Sequence, residues 1–153
     1  MTVHGYRSRV WWSGSTAAGY DDYPRAHGAT AAPAAAELRL SSDPAFLGSP
    51  DSLNPEQLLL VAASSCQLLS FLARAARMRL EVTGYEDEAE AEMDMDDPPA
   101  RITRIVLRPR ITVAAGTDEA KVRKAVDGAH RDCFIANSLK SEMTIEPTIV
   151  PGG

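Results

Sequence analysis

The chain has 153 residues, 44% of them hydrophobic and 24% charged, which fits a single domain over residues 1–153 that buries a core without disulfide staples. Its formal net charge of -5 excludes a general attraction to nucleic acid or to an anionic membrane surface. Its two cysteines are too few for a disulfide scaffold, and its first residues lack the continuous apolar stretch of a secretion signal.

"YRSRVWWSG" (6–14) predicts a strand ending at a glycine turn. The Gly-, Pro- and Ala-rich stretch that follows reads as a loop holding at most a short strand. "ELRLSS" (37–42) alternates apolar and polar residues, as a strand with one buried face does. "DPAFLGSPDSL" is turn material punctuated by Pro44, Gly48 and Pro50.

The main helix starts at Asn54, a good N-cap, with Pro55 at the first helical position and Glu56 at the positive helix end. Apolar residues then cover almost its whole circumference as far as Met78. A helix apolar all round is buried all round, and a domain of this size needs a second subunit to do that. Its most apolar run, Leu58 to Ala73, is shorter than the roughly 20 residues that span a bilayer and is interrupted by Ser64, Ser65, Gln67 and Ser70. The expected location is therefore the cytoplasm, where thiols stay reduced, with no membrane partner.

"EDEAEAEMDMDD" alternates acids with Ala or Met, which suits a strand with one solvated face; a disordered acidic loop is the competing reading. After the turn "PPA", "RITRIVLRPRITV" (101–113) predicts a strand rich in arginine. The acidic and basic segments are expected to form a hairpin with opposite charges facing. "TDEAKVRKAVDGAHRDC" predicts a second helix with Thr117 as N-cap, "FIANSLKSE" a short helix or turn, and "MTIEPTIV" a closing strand. The order β, β, long α, β, β, α, β implies an α+β fold with a mainly antiparallel sheet packed on a long buried central helix.

Cys66 and Cys133 carry the candidate chemistry. A cysteine in an apolar helix is ordinarily a small buried hydrophobe. A zinc site is the weaker reading: His130 and Cys133 share a helix face, but the sequence offers no second Cys-x-x-Cys or His pair to complete it. A thiol redox centre needs a stabilised thiolate and often a second thiol to resolve the sulfenic acid, and the chain has that count.

"NPEQLLLVAASSC" resembles the Asn-Pro-Glu-Glu/Gln-Leu element of the OsmC/Ohr family, the osmotically inducible and organic hydroperoxide resistance proteins, including the ten-residue step from Glu56 to Cys66. "AHRDCFIANSL" resembles that family's second cysteine element, and "SSDPAFLGSP", "YEDEAEAEM" and "ITRIVLRPRITV" resemble its OsmC-like branch. The resemblance implies an OsmC-like fold, an intertwined homodimer, and a peroxidase that reduces organic hydroperoxides to alcohols without cofactor or metal. It implies that Cys66 is the peroxidatic thiol, Cys133 the resolving thiol and Glu56 the partner of an activating arginine. That arginine is Arg25, the favoured position, or Arg39. A lipoyl-type or other dithiol is the implied reductant. Phe134, where better-known branches often carry proline, and the polar Gln67 are departures from the pattern. A redox-sensing or ligand-binding protein with little turnover is the alternative within the same fold.

The chemistry asks for something that lowers the Cys66 pKa. Cys66 lies twelve residues after Asn54, too deep for the helix dipole, and apolar burial works the other way. The sequence reading therefore expects a cation beside it, with Glu56 to orient that cation. Ten residues along one helix separate Glu56 from Cys66 by about 15 Å, so a shared site is expected to form across two subunits.

Overall fold

A computed structural model describes residues Met1–Gly152, which fall into two compact units, Met1–Leu58 and the chain from Leu59 onward. In the first, β1 (Arg9–Trp11), β2 (His27–Thr30) and β3 (Glu37–Leu40) form an antiparallel sheet in that order. The strand expected over 6–14 is therefore only three residues long, and the short strand allowed within the following loop is β2. Of β3, only Leu40 is buried; Leu38 remains 40% exposed, so the buried face expected for this strand is not formed within the chain.

The turn after β3 is tightly folded. Asp43 caps a single 3₁₀ turn by accepting from the Ala45 N–H at 2.7 Å, and the Gly48 N–H returns to Asp43 O at 3.1 Å. A Cβ on Gly48 would lie 1.7 Å from the Ser42 carbonyl oxygen, which is main chain and cannot swing aside. Gly48→Ala is expected to cost about 2 kcal/mol or more, lowering Tm by about 4–8 °C in a chain of this size. Calorimetry that finds no loss would show that this turn refolds freely.

The helix α1 (Pro55–Arg77) begins as expected: the Gln57 N–H donates to Asn54 Oδ1 at 2.8 Å and the Asn54 N–H to Gln57 Oε1 at 3.0 Å, a reciprocal cap. Within the second unit it is not buried all round. Its fully buried residues, Ala63, Gln67, Phe71 and Ala75, recur every fourth position and form one stripe. Val61, Leu69 and Leu72 are exposed at 58%, 64% and 39%. Within the single chain the helix thus has one buried stripe and an apolar face left open, the face for which the sequence reading expects a second subunit.

That stripe packs on two sheets. One runs β4 (Val82–Asp87), β7 (Pro109–Val113), β9 (Thr148–Pro151); the other runs β5 (Glu90–Asp94), β6 (Arg101–Leu107), β8 (Glu142–Ile145). Each combines an antiparallel and a parallel pairing; among the described strands four of the six pairings are antiparallel, in line with the mainly antiparallel expectation, and the two parallel ones bring in β8 and β9. The single strand expected over 101–113 is broken at Arg108, because Pro109 has no N–H for a ladder and opens a new strand instead. The expected charge pairing is present: Glu92 lies opposite Arg104 at 3.2 Å, and Arg108 reaches Glu90 at 2.9 Å.

The second helix, α2 (Glu119–Asp132), is capped by Asp118, whose carboxylate accepts from Ala120 N at 3.0 Å, and not by Thr117, whose hydroxyl turns back to Ala114 O. Val122, Ala125, Val126 and Ala129 form its buried stripe, in one cluster with Phe71, Ala75, Ile111 and Val113. This packing sets the end of α2 beside the middle of α1.

Candidate active site

Cys66 sits on the flank of α1 between the buried stripe and the open face, and is half-buried; Cys133 ends α2 and is fully buried. Gln67 fixes the contact between the helices. It is fully buried and its Nε2 donates to the Val126 carbonyl oxygen of α2 at 3.2 Å, so it points into the helix contact and not toward the thiols. Both thiols are free and near enough to influence each other's ionisation.

The two sulfurs are driven in opposite directions. Burial pushes the Cys66 thiol up, but the Ile135 N–H, the Cys133 thiol, the Phe134 N–H and the Ser70 hydroxyl all favour its anion, and together they bring it below its ordinary value. Burial pushes Cys133 up, and the neighbouring Cys66 reinforces this, although the Ala136 N–H, 3.5 Å from its sulfur, works against it. The pair is therefore unequal, and Cys66 is the thiol that ionises first. Among the described residues no arginine contributes to the lowering of Cys66. The sequence reading that required a cation there missed these neutral donors.

A cavity of about 330 Å³ opens on Cys66. Leu69, Ala73 and Phe134 give it apolar walls, and Arg74, Arg77 and Asp132 form its charged edge, with Arg74 ion-paired to Asp132. Phe134 is 80% exposed.

The other candidate residues lie in the first unit. Arg25 and Glu56 line one cavity of about 440 Å³, with Trp12, Tyr23, Phe46 and Pro55, whereas Arg39 lines a different one beside Trp11 and Glu37. The Arg25 guanidinium lies over the rings of Tyr23 (3.7 Å) and Tyr20 (4.7 Å) and donates to their carbonyl oxygens, each at 2.5 Å. Trp12 Nε1 donates to Pro24 O at 2.7 Å and His27 Nδ1 to Arg25 O at 2.8 Å, so the segment carrying Arg25 is pinned on both sides. Among the described residues Arg25 and Glu56 form no ion pair; they share a cavity. Ser70 and the two main-chain N–H groups escaped the sequence reading: Ser70 was legible only as the residue one turn after Cys66, and main-chain donors leave no mark on side-chain identity.

Residues 48–148 match the family model of the OsmC-like protein. An organic hydroperoxide resistance protein of Xanthomonas axonopodis pv. citri (strain 306) is 29% identical over 99 residues, 65% of this chain and 68% of the relative. An uncharacterised protein of Bacillus subtilis (strain 168) is 25% identical over 111 residues, 69% of this chain and 74% of its own. Among solved structures, an OsmC-like protein of unknown function from Vibrio cholerae superposes with a TM-score of 0.83 at 27% identity, covering 97% of this chain and all of the other.

Proposed function

The chain belongs to the OsmC-like protein family, and from that premise we propose that it is a thiol peroxidase that reduces organic hydroperoxides to alcohols in defence against oxidative stress. The observation that carries this reading is the pair of free thiols that two packed helices bring together, a half-exposed Cys66 whose ionisation is favoured and a buried Cys133 whose ionisation is disfavoured. The Xanthomonas relative's name supplies the substrate class.

The cycle balances with those two sulfurs alone. The Cys66 thiolate attacks the terminal peroxide oxygen; the O–O bond breaks, the alkoxide takes a proton and leaves as ROH, and Cys66 is left as a sulfenic acid. The Cys133 thiol, already beside it, displaces water to form the Cys66–Cys133 disulfide. A dithiol, lipoyl-type or other, then restores both thiols through a mixed disulfide. The apolar walls of the cavity at Cys66 favour a peroxide with a hydrocarbon tail over hydrogen peroxide.

We further read the working unit as a homodimer in the cytoplasm. The open apolar face of α1, with Val61, Leu69 and Leu72, is what a second copy would cover. In this reading Arg25, which shares a cavity with Glu56, is the arginine of the site in preference to Arg39. With a dithiol in excess, the protein is expected to consume cumene hydroperoxide at least about tenfold faster than hydrogen peroxide, a preference of the size that burying a hydrocarbon tail supplies. No consumption of either would end the peroxidase reading and leave a sensing or binding role.

A further inference from the structure

Gly128 lies in the buried stripe of α2, at an interior position where alanine is the better helix residue. It has no positive φ that would call for glycine. What excludes a side chain there is Arg74 of α1. A Cβ at Gly128 would lie 2.5 Å from Arg74 Cζ and Nε and 2.8 Å from Nη1. The guanidinium therefore rests on the backbone of α2. One turn further on, Arg74 Nη2 donates to the carboxylate of Asp132, the residue before Cys133.

The contact ties the two helices together at their thiols. On α1, Cys66, Ser70 and Arg74 recur every fourth position and line one cavity. On α2, Asp132 and Phe134, the neighbours of Cys133 on either side, line that same cavity. Arg74 thus reaches from the row that carries Cys66 to the residue beside Cys133. Among the described residues, the hydrogen bonds between α1 and α2 are this one and the buried bond from Gln67 to Val126 O, further from the end of α2. Cys133 is the C-cap of α2, so its position depends on what holds the last turn, and the last turn of a helix frays unless it is held. The ion pair is part-exposed, 34% for the Arg74 side chain and 63% for that of Asp132, so it adds little to overall stability. What it supplies is placement: joining two sulfurs needs them in one narrow geometry, and holding the attacking group close raises the rate.

We propose that Arg74, seated on Gly128 and paired with Asp132, is a clamp that positions Cys133 for its attack on an oxidised Cys66. Gly128, Arg74 and Asp132 are positioning residues, acting through Cys133 and not on the peroxide. The clamp deepens the peroxidase reading and rests on it for its purpose, but it is measurable without a peroxide.

The test uses one equivalent of dithionitrobenzoate, a symmetric aryl disulfide. The Cys66 thiolate displaces one thionitrobenzoate and becomes a mixed disulfide; the Cys133 thiol then loses its proton to solvent, attacks the Cys66 sulfur and displaces the second. The two releases are followed by absorbance as two phases, and the second reads the step that the clamp serves. Gly128→Ala pushes the guanidinium off its seat, and Asp132→Asn removes its partner. Each is expected to slow the second phase about threefold to tenfold without slowing the first. Gly128→Ala is also expected to hold or raise Tm, because alanine favours the helix and the displaced atoms are the far end of a flexible side chain. A merely structural glycine would lower Tm and leave the second phase alone. The double variant is expected to be no slower than the slower single one, since both changes act on one guanidinium. Full multiplication of the two effects, an unmoved second phase in both single variants, or the lack of a second phase in the wild type would each overturn the clamp. Should Gly128→Ala lower Tm or fail to fold, Asp132→Asn, at an exposed position, decides: a slower second phase supports the clamp and an unchanged one sinks it. An unmoved second phase in a protein that consumes cumene hydroperoxide means that the clamp is wrong and the peroxidase stands. A slowed second phase in a protein that consumes no peroxide supports the clamp and ends the peroxidase.

Discussion

Cys66→Ser is expected to reduce peroxide consumption to the uncatalysed background, whereas Cys133→Ser is expected to consume one equivalent and stop. The difference follows from the polarity of the pair. A serine hydroxyl is not ionised at neutral pH and cannot carry the oxygen atom that a thiolate accepts, so nothing else at position 66 replaces the sulfur. Cys133 plays no part in the attack; its thiol enters only after Cys66 has become a sulfenic acid. With serine there, the sulfenic acid forms and persists, and dimedone should label Cys66 stoichiometrically. Cys133 favours the Cys66 anion in the reduced protein, and the hydroxyl of Cys133→Ser is a donor too, so the first attack should run close to the wild-type rate. The sign of the pH dependence is fixed by the same shift. Cys66 lies below its ordinary value, so its reactivity is already present at a pH where a free cysteine would be mostly thiol, and is lost as pH falls through the lowered value. A Cys66→Ser protein that still turns over would place the chemistry elsewhere.

Much of this site was legible in the sequence, and what was not has physical causes. Asn54, Pro55 and Glu56 announce the start of α1 because capping is local chemistry, and the Asn54–Gln57 exchange realises it. The charge alternation of "EAEMD" against "RITRIV" foretold their pairing because cross-strand neighbours interact directly. The partners of β8 and β9 were not foretold: both pair in parallel with strands far back in the chain, and no local pattern encodes such a choice. Apolar residues all round α1 are covered within the chain along one stripe only, and composition does not say which face the chain itself covers. Neutral groups near Cys66 were invisible for a different reason: side-chain identity suggests charged means of favouring a thiolate, whereas main-chain amides are carried by nearly any residue.

No arginine contributes to lowering Cys66 among the described residues, so in the proposed cycle the arginine has a different task. As the O–O bond breaks, negative charge grows on the departing alkoxide, and a guanidinium there stabilises the transition state more than the ground state. Arg25→Ala is therefore expected to slow peroxide reduction by about 10²–10³-fold while leaving the Cys66 alkylation midpoint in place. Glu56, in the same cavity as Arg25, lies on α1 ten residues from Cys66, about 15 Å along the axis. A site using Glu56 and Arg25 of one copy with Cys66 of the other makes a complementation test possible. One chain carries Cys66→Ser and the other Arg25→Ala, and each homodimer alone is inactive or nearly so. In the mixed dimer, the Cys66 of the second chain meets the Arg25 of the first, and one site of the two is whole. Random assortment puts half the chains in mixed dimers, so co-refolding equal amounts should restore about a quarter of wild-type activity. A site built within one chain predicts no recovery, because neither chain then owns both residues. Glu56→Gln in place of Arg25→Ala should complement in the same sense, since orienting the arginine and supplying it belong to the same copy.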